Sequence, residues 1–283
     1  MTNGVIRIFS DLHYGDRVSN LRSLADLRPL FEGASEIILN GDTVDTRPSR
    51  HPGFTLESRK AVVDFFTHQA PTTTWLTGNH DPDISEHHAV ELRDRRVYVT
   101  HGDILFENLV PWGRDATVLG DRITAELARC PATRRDQLAE RFIATRRAAA
   151  TIPQRHQSER NALKYAIGFA ADTIWPPLRI LHVLRAWKET PNRATTLLKR
   201  HQLPAQVFVM GHTHRLGITR GPNGLIVINT GSFCPPSTGG VVDISETHIR
   251  LRVVVRQGRE FRLGQTIAEF ALARADRAET LAA

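Results

Sequence analysis

The stretch EIILNGDTVDT, from Glu36 to Thr46, joins an apolar run to two carboxylates, Asp42 and Asp45. Short apolar runs that end at Asn, Gly or Asp are typical of buried β-strands. A carboxylate at the end of such a strand loses solvation and needs a compensating partner. Two interpretations follow: the acids cap the next helix, or they hold a cation. The rest of the sequence must decide between them.

Four other apolar runs, VIRIF, TTTWL, RRVYVT and AQVFVM, end at polar residues in the same way. In chain order, the five runs are followed by Asp11 and His13; Asp42 and Asp45; Asn79, His80 and Asp81; His101; and His212 and His214. In layered α/β proteins, strand ends converge on one edge of the sheet, where sites form. We therefore expect these side chains to meet although they are far apart in sequence.

This set combines carboxylates, imidazoles and an amide without thiolates, which suits Mn, Fe or Zn better than an all-oxygen calcium cage. The set is larger than one ion needs, which predicts two ions with a shared bridge. Metal pairs about 3.5–4 Å apart are a recurring means of hydrolysing phosphate esters. We expect Asp42 to bridge the ions. Asp45 is expected to lie outside the ligand set or to cap a helix.

The ordered motifs DLH, GDTVD, GNHD, HGD and GHTH resemble the signature of the calcineurin-like metallophosphoesterase family. The resemblance covers the chain on both sides of residues 107–200 but not that segment itself. It implies an α/β fold, a four-layer αββα sandwich. It also implies two divalent metal ions, with Mn as the first expectation and Fe or Zn as alternatives.

The family's functional residues carry over by motif position. The first ion would be held by Asp11, His13 and His214, and the second by Asn79, His101 and His212, with Asp42 as the bridge. His80 aligns with the family's catalytic histidine, and we expect Asp81 to position it. The implied reaction is hydrolysis of a phosphate monoester or diester by a metal-bridging hydroxide, with His80 assisting.

The chain divides into three parts. Strand and helix signals alternate in residues 1–106, and strand signals return in residues 201–283. Residues 107–200 lack strand signals and predict four or five helices, with breaks at Pro131, Pro153, the Pro176–Pro177 pair and Pro191. We therefore predict a metallophosphoesterase core, 1–106 and 201–283, with a helical lid or cap inserted at 107–200. The end, from Thr266, is expected to form a helix or a frayed tail.

Positive charge is concentrated in the helical segment. Residues 107–200 contain 17 Lys and Arg against nine Asp and Glu, a net charge of +8 compared with +7 for the whole chain. This asymmetry indicates an anionic partner: a phosphorylated substrate, lipid head groups or nucleic acid. A solvated helical surface without a partner explains it equally well.

The segment also suggests two more specific alternatives. TIWPPLRILHVLRAW, residues 173–187, mixes apolar and basic side chains as membrane-surface helices do. The layout is similar to that of the UDP-2,3-diacylglucosamine hydrolases of lipid A synthesis, whose helical cap binds acyl chains. Those enzymes cleave a pyrophosphate bond and have Arg where His80 stands. A nuclease that grips nucleic acid through basic helices is the second alternative, and a metal-free scaffold is the third.

The composition bears on the compartment. No run of about 18 apolar residues predicts a transmembrane helix, and the N-terminus resembles a first strand rather than a secretory signal. The two cysteines, Cys130 and Cys234, fit a reducing cytoplasm. We expect a cytoplasmic protein, or one held at the inner face of the membrane.

Overall fold

Short apolar runs form the strands of two sheets in the computed structural model, which describes residues 4–155, 157, 159, 161–174 and 178–272. The strands are β1 (Val5–Phe9), β2 (Ala34–Asn40), β3 (Thr72–Leu76), β4 (Ala89–Leu92), β5 (Val97–Thr100), β6 (Val207–Met210), β7 (Gly217–Arg220), β8 (Ile226–Asn229), β9 (Gly240–Ile244), β10 (His248–Gln257) and β11 (Glu260–Ala271). One sheet has the order β11-β10-β9-β1-β2-β3 and the other β4-β5-β6-β8-β7.

The α-helices within the described residues are α1 (Pro52–Gln69), α2 (Ala116–Ala128), α3 (Leu138–Ala150), α4 (Ala162–Ile174) and α5 (Leu178–Arg200). A 3-10 helix spans Leu24–Phe31, where the sequence shows helical spacing but also contains Pro29. The periodicity therefore predicted the position of this helix. Pro29 lacks a backbone N–H, which disfavours a regular α-helix and favours a short 3-10 helix here.

The two sheets pack face to face. Successive residues of a strand point to opposite sides, so alternate residues of each strand lie between the sheets. Ile8 of β1, Ile38 of β2 and Val209 of β6 are fully buried between the sheets. Their neighbours Phe9 and Phe208 point outward, into two further cores under the helices. The predicted α/β class and four-layer sandwich are confirmed.

Helices cover both outer faces. On the first sheet, α1 and the 3-10 helix bury Val62, Phe66 and Leu27. On the second sheet, Ala194 and Leu198 of α5 pack in the same core as Phe208. The C-terminal half of α5 is therefore part of the fourth layer, although it lies within the segment that we expected to form a lid.

Two local predictions are wrong for the same reason. The expected break at Pro191 is absent, since α5 continues through it, and packing of the following turns on the second sheet holds the helix together. Residues from Thr266 to Ala271 are not helical but extend β11, which pairs with β10. In both places tertiary contacts override local propensity. The rest of the expected C-terminal helix, 273–283, and the break at Pro176–Pro177 lie outside the described residues.

Parallel pairing brings the functional loops together. β1, β2 and β3 are parallel neighbours in the first sheet, and β5, β6 and β8 are parallel neighbours in the second. The carboxyl ends of parallel neighbours lie at one edge of a sheet, and the polar loops begin at those ends. The motifs after β1, β2, β3, β5 and β6 thus share one end of the sandwich.

Candidate metal centre

The polar loops form one cluster of side chains with metal-ligating atoms. It contains three overlapping groups, Asp11, His13 and His214; His13, Asp42 and His80; and Asp11, Asp42 and His101. In each group one ligand atom per residue lies within 4.8 Å of the others. Because the groups share members, they are parts of a single centre.

Three side chains from the first and last motifs face each other. The Nε2 atom of His214 lies 3.1 Å from Oδ1 of Asp11. The Nε2 atom of His13 lies 3.4 Å from that of His214 and 3.9 Å from Oδ1 of Asp11. A carboxylate oxygen and two imidazole nitrogens so close together suit a divalent cation.

Asp42 lies between this trio and the rest of the cluster. Its Oδ2 atom is 3.8 Å from Nε2 of His13 and 3.4 Å from Nε2 of His101. Its Oδ1 atom accepts a hydrogen bond of 2.8 Å from the backbone N–H of His80. One carboxylate oxygen therefore faces ligand atoms on both sides, the geometry that a bridging ligand requires.

Two of the five buried side-chain polar atoms that lack a hydrogen-bond partner among the described residues belong to proposed metal ligands. They are Oδ1 of Asn79 and Nε2 of His101. The His101 ring donates its Nδ1 proton to the carbonyl of Asn40 at 2.9 Å, so Nε2 is the ring nitrogen that faces Asp42. Buried polar atoms without partners are costly, and a cation would compensate both. The residues present therefore fit a metal centre.

His212 lies beside this second set but outside the three tight groups. Its ring centre is 5.1 Å from that of His101. Its Nε2 donates to the carbonyl of Leu109 at 2.9 Å, and the Trp112 ring packs against it with centroids 5.2 Å apart. The ring is thus fixed with Nδ1 as the nitrogen left to bind a metal.

The backbone at the cluster is strained. Five residues have φ between 45° and 65°: Asp11, His13, Asp42, His212 and His214. For residues with a Cβ this region costs ~1–3 kcal/mol each and persists only where the surroundings impose it. The turns after β1, β2 and β6 therefore hold the side chains in place at the expense of stability.

Two glycines make room for the carboxylates. A Cβ on Gly211 would lie 2.1 Å from Oδ2 of Asp11, and one on Gly78 would lie 2.3 Å from Oδ1 of Asp42. Neither position tolerates a side chain without displacing a candidate ligand. The glycines of GHTH and GNHD are therefore required by close approach to the acids.

The partner of His80 differs from the one we expected. Nδ1 of His80 lies 2.9 Å from Oδ2 of Asp45, and Arg47 donates to both oxygens of the same carboxylate at 3.0 and 2.6 Å. Helix α1 begins at Pro52, so Asp45 does not cap it. Asp45 is instead a polar group that orients the His80 ring.

The prediction that Asp81 positions His80 is wrong. Its Oδ1 accepts the backbone N–H groups of Asp42 and Gly78, both at 2.8 Å. Its Oδ2 accepts the N–H of Thr43 at 2.7 Å. Asp81 is fully buried. Both oxygens of its carboxylate accept backbone N–H groups, two of them in the loop after β2, and so Asp81 stabilises that loop rather than orienting the ring of His80.

Electrostatics favour the metal-binding forms of Asp42, His13 and His212 but not that of His101. Burial lowers the pKa of His101, but Asp42 outweighs it and raises that pKa well above its usual value, so that a metal would have to displace a proton from this ring. Burial raises the pKa of Asp42, but His101 and His80 outweigh it and hold that pKa well below the usual value. Burial lowers the pKa of His13 to about 4 and that of His212 to about 3. An ionised carboxylate and neutral imidazoles are the forms that bind metals. For His80, burial and Arg47 lower the pKa, yet Asp42 and Asp45 raise it above its usual value.

The cluster opens into a cavity of about 900 Å³. His13, Asp42 and His214 line its floor, and Ile180 and Leu184 of α5 belong to its wall. The cavity is thus shared between the motif loops and the helical segment. Sequence reasoning missed the roles of Arg47 and Trp112, because neither belongs to a motif. A signal for Arg47 was its position two residues after Asp45.

The sequence of the chain matches a known protein family. A family model described as calcineurin-like phosphoesterase matches residues 4–216. No match is found among curated proteins. Among solved structures, a dimetal phosphatase from Danio rerio has a TM-score of 0.47 and 13% identity, covering 96% of this chain and 99% of that one. Vacuolar protein sorting 29 from Cryptosporidium parvum has a TM-score of 0.45 and 13% identity, covering 95% and 98%.

Proposed function

The chain belongs to the calcineurin-like phosphoesterase family, and we propose that it hydrolyses a phosphate monoester or diester with the help of two divalent metal ions. The observation that carries this proposal is the buried cluster around Asp42, which includes His101 and lies in the cavity that Asn79 also lines. Members of this family use divalent metals. Mn is the ion proposed here, with Fe or Zn as alternatives.

The proposed ligand sets follow the two sides of the cluster. Asp11, His13 and His214 would hold one ion, Asn79, His101 and His212 the other, and Asp42 both. When bound, the ions would lower the pKa of a water molecule toward neutrality and neutralise charge on the phosphoryl oxygens. The short distances from Asp42 to His13 and His101 support its place between them.

The remaining residues would handle the proton. In hydrolysis, the oxygen of water bonds to phosphorus while the P–O bond to the leaving group breaks, and a proton must reach the leaving oxygen. His80 supplies a proton donor: its Nδ1 faces Asp45, which leaves Nε2 to face the reacting group. Arg47 holds Asp45 through two hydrogen bonds and so keeps the ring oriented.

A second candidate function is favoured by one observation on the helical segment. Five large apolar side chains on α4 and α5 are at least 49% exposed: Leu163, Ile167, Ile180, Leu181 and Leu184. Together with the segment's excess of basic residues, they suit acyl chains or an anionic membrane surface. The candidate is hydrolysis of a pyrophosphate bond in an acylated sugar nucleotide, of the UDP-2,3-diacylglucosamine type.

This second candidate includes a peripheral position at the inner face of the membrane. No helix within the described residues is long and apolar enough to cross a bilayer. Nucleic acid is less well supported as the anionic partner, since these exposed side chains are aliphatic and offer no rings on which bases could stack.

The test is metal analysis followed by an activity screen. We expect about two ions per chain. With Mn, we expect turnover of at least one of three substrates: para-nitrophenyl phosphate, bis-para-nitrophenyl phosphate and a UDP-sugar pyrophosphate. A metal-loaded protein that hydrolyses none of them contradicts the phosphoesterase proposal. Liposome flotation with and without anionic lipid tests the second candidate, which fails if the protein does not bind either.

A further inference from the structure

Among the described residues, two guanidinium groups line the cavity, those of Arg179 and Arg215, and the proposed reaction uses neither. Arg179 donates to the backbone carbonyl of Trp112, which leaves Arg215 to be considered. Arg215 directly follows His214, and both residues line the cavity above the cluster. Consecutive Cα atoms are about 3.8 Å apart, so the Arg215 side chain starts beside a candidate metal ligand. Arg215 is exposed, and its Cζ atom lies 5.1 Å from the centre of the Trp187 ring.

Trp187 is a fixed platform for this guanidinium. Its indole N–H donates to the carbonyl of Thr213 at 3.0 Å, which ties α5 to the GHTH loop. Farther along the same helix, Ala194 and Leu198 are buried against the second sheet. The ring is therefore anchored by a hydrogen bond and by the packing of its helix, and its face directs the Arg215 side chain.

Within the described residues, Arg215 has no ion pair. Other exposed arginines of the described residues, such as Arg50 and Arg220, also lack an ion pair, so Arg215 is distinguished by its place in the cavity and its contact with Trp187. Beyond the metal cluster, the cavity has one carboxylate, Asp16, which already accepts hydrogen bonds from the Tyr165 hydroxyl and the Val18 N–H. The positive charge of Arg215 therefore faces the cavity without an internal counter-ion.

Stacking of this kind leaves the hydrogen-bonding edge of an arginine available. The Trp187 ring contacts the face of the guanidinium, whereas the five N–H groups of a guanidinium lie in its plane and bind planar or tetrahedral oxyanions in pairs. The arrangement thus combines a fixed orientation with free donors.

We infer that Arg215, held against Trp187, is a specificity-determining residue that binds a second anionic group of the substrate, next to the phosphoryl group at the metal cluster. The inference rests on the proposed phosphoesterase function. The second group is an oxyanion, either another phosphoryl group, as in a pyrophosphate, or a carboxylate on the leaving group. Substrates with one anionic group would lack this contact.

The experiment compares matched substrates on the Mn-loaded full-length protein. Phenyl phosphate carries a single anionic group, 4-carboxyphenyl phosphate adds a carboxylate, and a UDP-sugar adds a second phosphoryl group. For wild type, we expect a lower KM for at least one of the doubly anionic substrates. For that doubly anionic substrate, the ratio of its KM to the KM of phenyl phosphate should be about tenfold or more higher in Arg215→Gln than in wild type. This is the size expected for a lost charge-assisted hydrogen bond.

Arg220→Gln is the matched control, since Arg220 is also exposed but lies on β7 outside this cavity; its KM ratio should equal that of wild type. Trp187→Phe keeps an aromatic face and should raise the ratio less than Trp187→Ala does. The doubly anionic substrate that loses its advantage in Arg215→Gln identifies the source, carboxylate or phosphoryl.

The outcomes separate the two proposals. If wild type turns over the substrates but Arg215→Gln changes every KM by the same factor, or changes none, the inference about Arg215 is overturned and the phosphoesterase proposal stands. If wild type with a full complement of metal turns over none of them, the phosphoesterase proposal fails and the inference falls with it. Unfolding temperatures of the variants near that of wild type exclude misfolding as the cause.

Discussion

The loops of the metal cluster and the helices over the cavity differ in almost every physical respect. Asp11 and His101 are fully buried, whereas Leu163 and Ile180 are 70% and 60% exposed. Backbone hydrogen bonds fix the loops in a conformation with strained dihedral angles, while the outer helices expose apolar side chains to solvent. Under the proposed function, the loops of the sandwich would carry the chemical step, and the outer helices together with Arg215 would contribute to substrate choice.

The largest effect should come from removing the acid at the centre of the loops. Asp42→Asn should lower kcat/KM by about a thousandfold or more, because a bridging anion would be lost from both proposed metal sites. Elemental analysis should find fewer than two ions per chain. Asp83→Asn, an exposed acid of the same region, is the control. Normal metal content and turnover in Asp42→Asn would contradict the bridge.

The next effect separates Asp45 from Asp81. Asp45→Asn should lower kcat about a hundredfold while both ions remain, because the ring of His80 loses its negatively charged partner but the ligands do not move. Asp81→Asn should instead lower metal content and the unfolding temperature, since it disturbs three backbone hydrogen bonds around Asp42. The reverse pattern would restore Asp81 as the residue that positions His80.

The two halves of α5 allow the comparison to be made within one helix. Leu198→Ala should destabilise the protein by about 2–5 kcal/mol, because Leu198 is buried against the second sheet. Leu184→Ala should cost less than about 0.5 kcal/mol, because Leu184 is 49% exposed. Chemical unfolding measures both. Equal losses would mean that the N-terminal half of the helix is as much a part of the core as the C-terminal half.

A pH-dependent contribution to stability comes from the contact between His88 and helix α3. The ring of His88 stacks on Phe142 of α3 with centroids 5.1 Å apart. Burial, with help from Arg146, lowers the pKa of His88 to about 4 from the ordinary value of 6.5. In the unfolded chain His88 therefore binds a proton near pH 6.5, whereas in the folded chain it binds one only near pH 4. The contribution of His88 to stability therefore falls as the pH drops from about 6.5 to about 4.

Replacement of His88 tests this pH dependence. The difference in unfolding free energy between wild type and His88→Gln should change in favour of the variant as the pH falls from 7 toward 4. His68→Gln, on the surface of α1, is the control. A difference that does not vary with pH would mean that His88 titrates normally and that the stacked contact is open to solvent.

The apolar runs and their polar ends predicted a layered α/β fold with converging loops, because they report directly on buried strands. The four-layer sandwich was implied by the resemblance of the ordered motifs to a known family. The sequence also brought Asp11, Asp42 and His101 together, since motif order carries that information. It did not predict that His80 pairs with Asp45 rather than Asp81, because the direction of a side chain in a tight turn depends on dihedral angles that spacing does not encode. The stacking of Arg215 on Trp187 joins two segments that are distant in sequence, and no local sequence pattern predicts it.

The candidate metal cluster lies at the end of the sandwich where loops from both sheets meet, and this position has a consequence for stability. Asp11 and Asp42 follow strands of one sheet, whereas His101 and His212 follow strands of the other. Ions bound by both sets would act as non-covalent cross-links across the sandwich. Ligands that bind only the folded chain add stability in proportion to the logarithm of their free concentration. Chelation should then lower the temperature at which the whole molecule melts, so that under the proposed function the supply of metal would set the protein's stability as well as its activity.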